Sequence, residues 1–385
     1  MSAPETAMLE QIHSLPQLIG ECGPSFAEQA RQSLGQKLAL SLEGLYVTGC
    51  GDSHHAAVAS ELAFHELGGV PCQALSALPF SRYTVPFLPC PGRVAVVGIS
   101  VSGEVSRTVE ALRLAQQAGA TTIALTSNPD SRLAHAADHV LQVSVTPSSP
   151  VPTPGVRSYV ATLLMLYLVA MQIGELRGGL GADAAEEARH ELLGVAGDLQ
   201  ATLESNELIT AQLAARWADA DGYVFLGGGP NYGTALFCAA KLLEASGEPA
   251  LGQDVEEWTH LQYFARVVTT PTIVIDAGGR GSGRAREAAV AARAIGRRVA
   301  AVVPRGEREI AGQADAVLEM HGTAREAFSP LLYCLPGMLL AHYRSQALGE
   351  TYFRGFGGGR SVEGGGGISR IRSSWIQEEL GRGFL

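Results

Sequence analysis

Two stretches of this 385-residue chain, 178 positions apart, carry the same punctuation, and this repeat limits the possible fold more than any other feature. Gly49 pairs with Gly227, Gly51 with Gly229, Ala57 with Ala235, Glu66 with Glu244, Gly69 with Gly247 and Pro71 with Pro249. Matched glycines and proline at both ends of one helical stretch point to internal duplication of a single α/β unit. In the first copy an apolar strand, Leu45 to Thr48, ends in Gly49-Cys50-Gly51-Asp52-Ser53 and leads into an alanine-rich helix from His54 to Leu67. A strand from Val94 to Ile99 runs into Ser100-Val101-Ser102-Gly103-Glu104, followed by a helix from about Val105 to Ala118 and a strand from Thr122 to Thr126. The second copy has a strand from Tyr223 to Leu226, three glycines, a helix from about Tyr232 to Ser246 and a strand from Thr272 to Ile275. A Gly-rich turn from Gly278 to Gly283, a helix and a strand from Val299 to Val303 complete it. This alternation predicts an α/β chain with parallel sheets and crossover helices, in which ligands sit outside the carboxyl ends of the strands.

The predicted division is an N-terminal helical segment (1–40) interrupted by Pro16 and Pro24, a first α/β domain (41–175) and a linker helix (176–208). A second α/β domain (209–345) and a Gly-rich C-terminal tail (346–385) follow. Between the copies lie the apolar stretch Tyr159–Ile173 and an acidic amphipathic helix from Ala184 to Leu203. The former is shorter than the roughly 20 residues a spanning helix needs, so a buried helix and no membrane partner are expected. A net charge of −10 without a basic block excludes nucleic acid. Six cysteines without a CxxC pair suit free thiols in a reducing cytoplasm, and the N-terminus has no signal pattern, so a cytoplasmic location is expected. His135 and His139 have i, i+4 spacing but no third ligand, so neither a metal nor a cofactor is expected.

The Ser100–Glu104 turn sets two hydroxyls and a glycine between a strand and a helix N-terminus. Unpaired N–H groups and the positive dipole end suit a dianion there, with Ser53 as a further donor. Taken alone, the turn is read first as serines capping the helix, the commoner role of serine at such a start. A dinucleotide fingerprint fails, because Gly49-Cys50-Gly51 lacks the third glycine and no acidic residue ends the next strand. Lys241 and Glu244 share a helix face; taken alone, such a pair is an exposed ion pair worth little. The chain has only two lysines, Lys37 and Lys241, which leaves two side-chain candidates for any iminium chemistry.

Ser100-Val-Ser102-Gly103-Glu104 resembles the S-x-S-G-E-T turn of sugar isomerase (SIS) domains, and Gly49 to Ser53 resembles their C-G-T-S turn. Lys241-Leu242-Leu243-Glu244 is similar to the family's K-L-K-E, continuing through Gly247 to Glu257-Trp258-Thr259-His260. Over nearly its full length the chain resembles the isomerase half of glucosamine-6-phosphate synthase and the stand-alone double-SIS phosphosugar isomerases and deaminases. The resemblance implies two tandem SIS lobes, each a flavodoxin-like three-layer sandwich, that hold a sugar phosphate. It implies that Ser53, Ser100, Ser102 and the backbone near Val101 contact the phosphate. Glu244 would shuttle a proton between C1 and C2, with Lys241 as its electrostatic partner. His260 would assist ring opening from a neighbouring subunit, which implies a homodimer with shared active sites. The sequence departs from the family at Val105 and Asp52, where it has threonines. A carboxylate beside a dianion is unfavourable, so Asp52 is expected on sugar hydroxyls or an amine. The family's tail lysine, which forms an iminium, matches Arg360, which cannot; its glutaminase domain has no counterpart here. The expected function is a glutamine-independent isomerase or deaminase of a phosphosugar, an aminosugar phosphate above all. A non-catalytic sugar-phosphate regulator is the alternative, disfavoured by the joint presence of Lys241, Glu244 and His260. A nucleotide-binding protein is disfavoured by the missing Walker lysine and Rossmann acid.

Overall fold

The computed structural model describes residues 3–145 and 152–361, together with residue 372. Helices α1 (Ala3–His13), α2 (Leu15–Ser33) and α3 (Gln36–Ser41) open the chain. The break between α1 and α2 falls just ahead of Pro16, as expected, whereas Pro24 does not interrupt α2. Pro16 lies in the first turn, where a backbone N–H needs no partner. Pro24 is internal and forfeits one bond, but Ile19, Phe26 and Ala30 are buried along the same helix and keep it packed.

The first lobe follows as β1 (Gly44–Gly49), α4 (Asp52–Glu66), β2 (Cys72–Ser76), the short turn α5 (Ala77–Pro79), β3 (Val94–Ile99), α6 (Ser106–Gln117), β4 (Thr121–Thr126) and β5 (His139–Gln142). Helices α7 (Arg157–Arg177) and α8 (Ala182–Arg216) lead to the second lobe. That lobe comprises β6 (Tyr223–Gly227), α9 (Pro230–Ala245), β7 (Ala250–Asp254), α10 (Val255–His260), β8 (Thr272–Ile275), α11 (Ser282–Ala294), β9 (Val299–Pro304) and β10 (Ala316–Met320). Helices α12 (Pro330–Tyr333) and α13 (Leu335–Leu348) follow. Among the described residues two compact units form: 24–145 with Met165–Glu186, 356–361 and 372, and 3–23 with 152–164 and Glu187–Gly355.

Each unit holds one five-stranded sheet, all of its pairings parallel, with orders β2-β1-β3-β4-β5 and β7-β6-β8-β9-β10. The two topologies are the same. The 178-residue offset carries β2 onto β7 residue for residue and the first residue of α4 onto that of α9. Gly51 (φ 58°, ψ −130°) and Gly229 (φ 54°, ψ −130°) share a conformation open only to glycine, which explains the pairing seen in the sequence. In the first unit Phe80, Val96, Leu112, Ala124 and Leu133 belong to one core; in the second, Val224, Leu226, Trp258, Val274 and Ile310 do.

Helix α7 has the length and apolarity to cross a membrane, yet 83% of its apolar window is buried inside the protein, as a core helix requires. Helix α8 runs 35 residues, well past Leu203. Its buried stripe of Ala188, Leu192, Val195, Leu199 and Leu203 continues through Asn206 and Thr210 to Leu213. Asn206 donates to the Glu319 carbonyl (2.8 Å) and Thr210 to that of Asn206 (2.8 Å), so polar residues occupy the stripe at little cost.

His342 on α13 is fully buried, with Nδ1 3.2 Å from the Tyr352 hydroxyl. Burial pushes its pKa from the ordinary 6.5 down to about 4, against a smaller opposing pull from Glu207. The unfolded chain therefore takes a proton that the folded chain refuses. Stability from this site is fully present above pH 6.5 and is lost as the pH falls towards 4. His54, pushed to about 4 by burial and then by His55, acts with the same sign. Melting temperature is expected to fall through this window in a pH series. His342→Gln should flatten the slope; an unchanged slope would exclude His342 as a source.

Candidate functional site

In the first lobe the strand order reverses direction between β1 and β3, the point where parallel sheets open a crevice at their carboxyl ends. The register sets Gly49 opposite Ile99, so the turns after β1 and β3 emerge level with one another. A Cβ at Gly49 would lie 2.6 Å from the Ser53 Cβ, so glycine is what lets Ser53 stand beside the strand end. Asp52 occupies the first turn of α4, where the helix dipole favours a carboxylate, with Oδ1 3.7 Å from His55 Nδ1.

The Ser100 N–H donates to the Leu125 carbonyl (3.0 Å), and the Gly103 N–H closes the turn onto the Ser100 carbonyl (2.9 Å). Gly103 is left-handed (φ 69°), and a Cβ there would lie 2.0 Å from Ser131 Oγ. The Val101 carbonyl accepts from the Ser127 N–H (2.9 Å) and hydroxyl (2.6 Å), which ties the turn to the end of β4. Glu104 is held by Arg132 Nε (2.5 Å). Burial raises the Glu104 carboxyl, but the bonds and charge of Arg132 outweigh it and keep the group below its ordinary value.

Neither serine caps α6. The N-cap position belongs to Val105, with no side-chain cap bond. The exposed Ser102 hydroxyl accepts a long bond from the Glu104 N–H (3.3 Å). Ser100 is 2% exposed, and its hydroxyl has no hydrogen-bond partner among the described residues. A buried hydroxyl left unbonded at the carboxyl edge of a parallel sheet is costly unless something else binds it. Arg360 ends a short exposed turn, Gly358–Arg360, in the same unit.

The equivalent crevice of the second lobe is furnished differently. Asp276 stands just after β8, where the first lobe has Ser100, and is 7% exposed. It accepts from Ser282 Oγ (2.8 Å) and the Gly278 N–H (3.3 Å), and burial outweighs these bonds to raise its pKa. Glu326 accepts from the Arg280 N–H (3.0 Å) and lies so close to Gly279 that a Cβ there would sit 2.0 Å from its oxygen. Two carboxylates, Asp276 and Glu326, thus stand at the second lobe's turn, where a dianion would be disfavoured. Sequence reasoning passed over both residues, although Asp276 in the position of Ser100 was legible as an asymmetry between the copies.

Helix α9 carries Lys241 and Glu244. Lys241 is fully buried, pairs with the Glu244 carboxylate and lies 5.2 Å from the Phe237 ring centroid. Phe237 is stacked on Tyr159 at 3.6 Å and 9°. The Glu244 side chain is 25% exposed, so a buried cation holds a carboxylate that still reaches solvent. His260, the last residue of α10, is 66% exposed and pairs with Glu256 (2.9 Å). Its helix is capped by Asp254, which accepts from the N–H groups of Glu256 (2.9 Å) and Glu257 (3.4 Å). The structure therefore joins Lys241 to Glu244 and sets His260 against Glu256.

Residues 43–172 match the SIS domain family. The chain carries a SIS domain. This SIS domain runs from the residue before β1 into α7, and the two parallel five-stranded sheets match tandem SIS lobes. The chain is 28% identical over 340 residues to glutamine–fructose-6-phosphate aminotransferase [isomerizing] of Gloeobacter violaceus, covering 87% of this chain and 55% of that protein. It spans about half the length of the curated relatives it matches. Among solved structures, the C-terminal domain of glucosamine-fructose-6-phosphate aminotransferase from Francisella tularensis superposes with a TM-score of 0.77 at 19% identity, covering 89% of this chain and 96% of that one. Glucosamine-6-phosphate deaminase from Thermotoga maritima superposes with a TM-score of 0.67 at 19% identity, covering 89% and 95%. The SIS fold of this chain is thus homologous to the isomerase part of the aminotransferases.

Proposed function

We propose that this SIS protein is an isomerase or deaminase of a phosphosugar, an aminosugar phosphate above all, working by proton transfer at carbon. The observation that carries the proposal is the Lys241–Glu244 pair, a solvent-reaching carboxylate paired with a fully buried lysine. Glu244 removes the proton from the carbon next to the carbonyl of the open-chain sugar, leaving an enediol, and returns it to the neighbouring carbon. Where the carbon that loses its proton bears an amine, the intermediate is an enaminol, and protonation of the former carbonyl carbon gives an imine that water hydrolyses to ketose and ammonia. His260 handles the ring-opening proton, and a homodimer in which a second copy supplies it is part of the proposal. Ser53, Ser100, Ser102 and the Val101 backbone take the phosphate, and Asp52 takes a hydroxyl or amine. No protein iminium enters this scheme: Lys241 is fully buried and paired with Glu244, Lys37 is exposed on α3, and a guanidinium such as that of Arg360 forms no such adduct.

The test combines thermal shift with NMR in D2O, using fructose 6-phosphate, glucosamine 6-phosphate, inorganic phosphate and ATP as probes. A sugar phosphate at about 100 times its Kd adds roughly 2.7 kcal/mol and raises Tm by several degrees. Exchange of the C1 or C2 proton for deuterium should accompany it. Stabilisation without exchange would make the protein a sugar-phosphate-binding regulator. Stabilisation by ATP alone would overturn both readings.

A further inference from the structure

We infer that Arg354 is a positioning residue for Glu244, an assignment that rests on reading Glu244 as the base. Arg354 lies beyond α13, and its guanidinium closes the carboxyl end of α9. Nη1 donates to the Leu243 carbonyl (3.0 Å), and Nη2 donates to the carbonyls of Glu244 (3.1 Å) and Ala245 (2.5 Å). These are carbonyls of the last turn of the helix, of which that of Leu243 also accepts from the Gly247 N–H (3.1 Å), and a cation there meets the negative end of the helix dipole. Nε faces Glu350 at 3.4 Å, and Nη2 also reaches the Thr351 carbonyl (3.2 Å). One side chain therefore joins four carbonyls and a carboxylate.

The backbone is bent to deliver it. Phe353, Arg354 and Gly355 are consecutively left-handed (φ 56°, 57° and 58°). Residues with a Cβ hold that conformation only when their surroundings over-determine it, and the guanidinium contacts supply the constraint. The opposite wall is equally specific. A Cβ on Gly247 would lie 2.2 Å from Arg354 Nη1 and 2.9 Å from Cζ. Its counterpart Gly69 is also left-handed but has nothing within 4 Å of an added Cβ. The crowding at Gly247 therefore comes from Arg354, not from the turn that the two lobes share.

Glu244 is the penultimate residue of α9, in the turn where helices fray. Lys241 fixes its carboxylate, and Arg354 fixes its carbonyl. Loss of Arg354 leaves the ion pair intact but releases the backbone on which the carboxylate is mounted. The chemical step then slows, while phosphate binding, carried by other residues, persists.

The test follows C–H to C–D exchange of glucosamine 6-phosphate and fructose 6-phosphate on the full chain. Arg354→Ala is expected to lower kcat by on the order of tenfold, because small misplacement of a reacting group is costly, with KM nearly unchanged. Gly247→Ala, which evicts the guanidinium, should give the same loss, and the double variant no more than either alone. Millimolar guanidinium should restore Arg354→Ala but not Gly247→Ala, whose Cβ fills the seat. Gly119→Ala, at a left-handed glycine of the other unit (φ 96°), controls for general destabilisation and should keep kcat. Arg354→Lys gives a milder variant should the alanine chain fold poorly, and it should retain part of the rate. Wild-type exchange undiminished in Arg354→Ala, or losses that add in the double variant, would overturn the assignment alone. Absence of exchange in the wild-type chain would remove Glu244 as the base, and this assignment with it.

Discussion

Glu244→Gln is expected to abolish exchange of the sugar's carbon-bound proton while the phosphosugar still raises the melting temperature. The amide has the size and hydrogen-bonding oxygen of the carboxylate but cannot accept a proton near neutrality. Removing a positioned general base costs about 10²–10⁴-fold in rate. The substitution also leaves the fully buried Lys241 without its counter-charge. Breaking a wholly buried pair costs about 3–5 kcal/mol; partial exposure of Glu244 to water makes the cost here smaller. The ligand-induced shift is therefore measured from the variant's own, lower baseline. Exchange at the wild-type rate would remove Glu244 from the chemistry.

Gly103→Ala is expected to weaken sugar-phosphate binding severely, on the order of a hundredfold if two bonds to a charged group are lost. The new Cβ meets Ser131 Oγ at 2.0 Å and Thr126 Oγ1 at 2.9 Å, and the position is left-handed. The turn cannot keep the Ser100–Gly103 bond and admit the methyl as well, so the hydroxyls are re-aimed. Ser100→Ala removes only one donor and should cost about tenfold. Gly119→Ala again separates backbone strain from site damage, because its added Cβ approaches only Pro91, at 3.9 Å. Equal losses of ligand-induced stabilisation in Gly119→Ala and Gly103→Ala would mean that the turn has no special part in binding.

The strands read from sequence are the inner ones. Every residue of β3, β6 and β8 is buried, so these strands appear as unbroken apolar runs. The four strands missed, β2, β5, β7 and β10, are the edges of the two sheets. They are only partly buried and carry residues such as Gln73, His139, Gln253 and Glu319, which leave no such run. Helix α8 was cut short at Leu203 for a related reason, since Asn206 and Thr210 sit on its buried stripe and their satisfaction by distant or backbone partners is invisible in one dimension.

By itself the sequence determined what local chemistry fixes: the duplication, the glycines of the strand-to-helix turns, and the shared face of Lys241 and Glu244. Backbone conformation and helical spacing depend on residues a few positions apart, so they are written in the chain directly. Tertiary structure alone decided which partner each polar group found. It left the Ser100 hydroxyl without a hydrogen bond among the described residues where a serine cap was the first reading, set Asp276 and Glu326 at the second lobe's turn, and brought Arg354 onto a helix that ends 109 residues earlier. Those pairings join segments far apart in sequence, and only the packed fold sets which donor meets which acceptor.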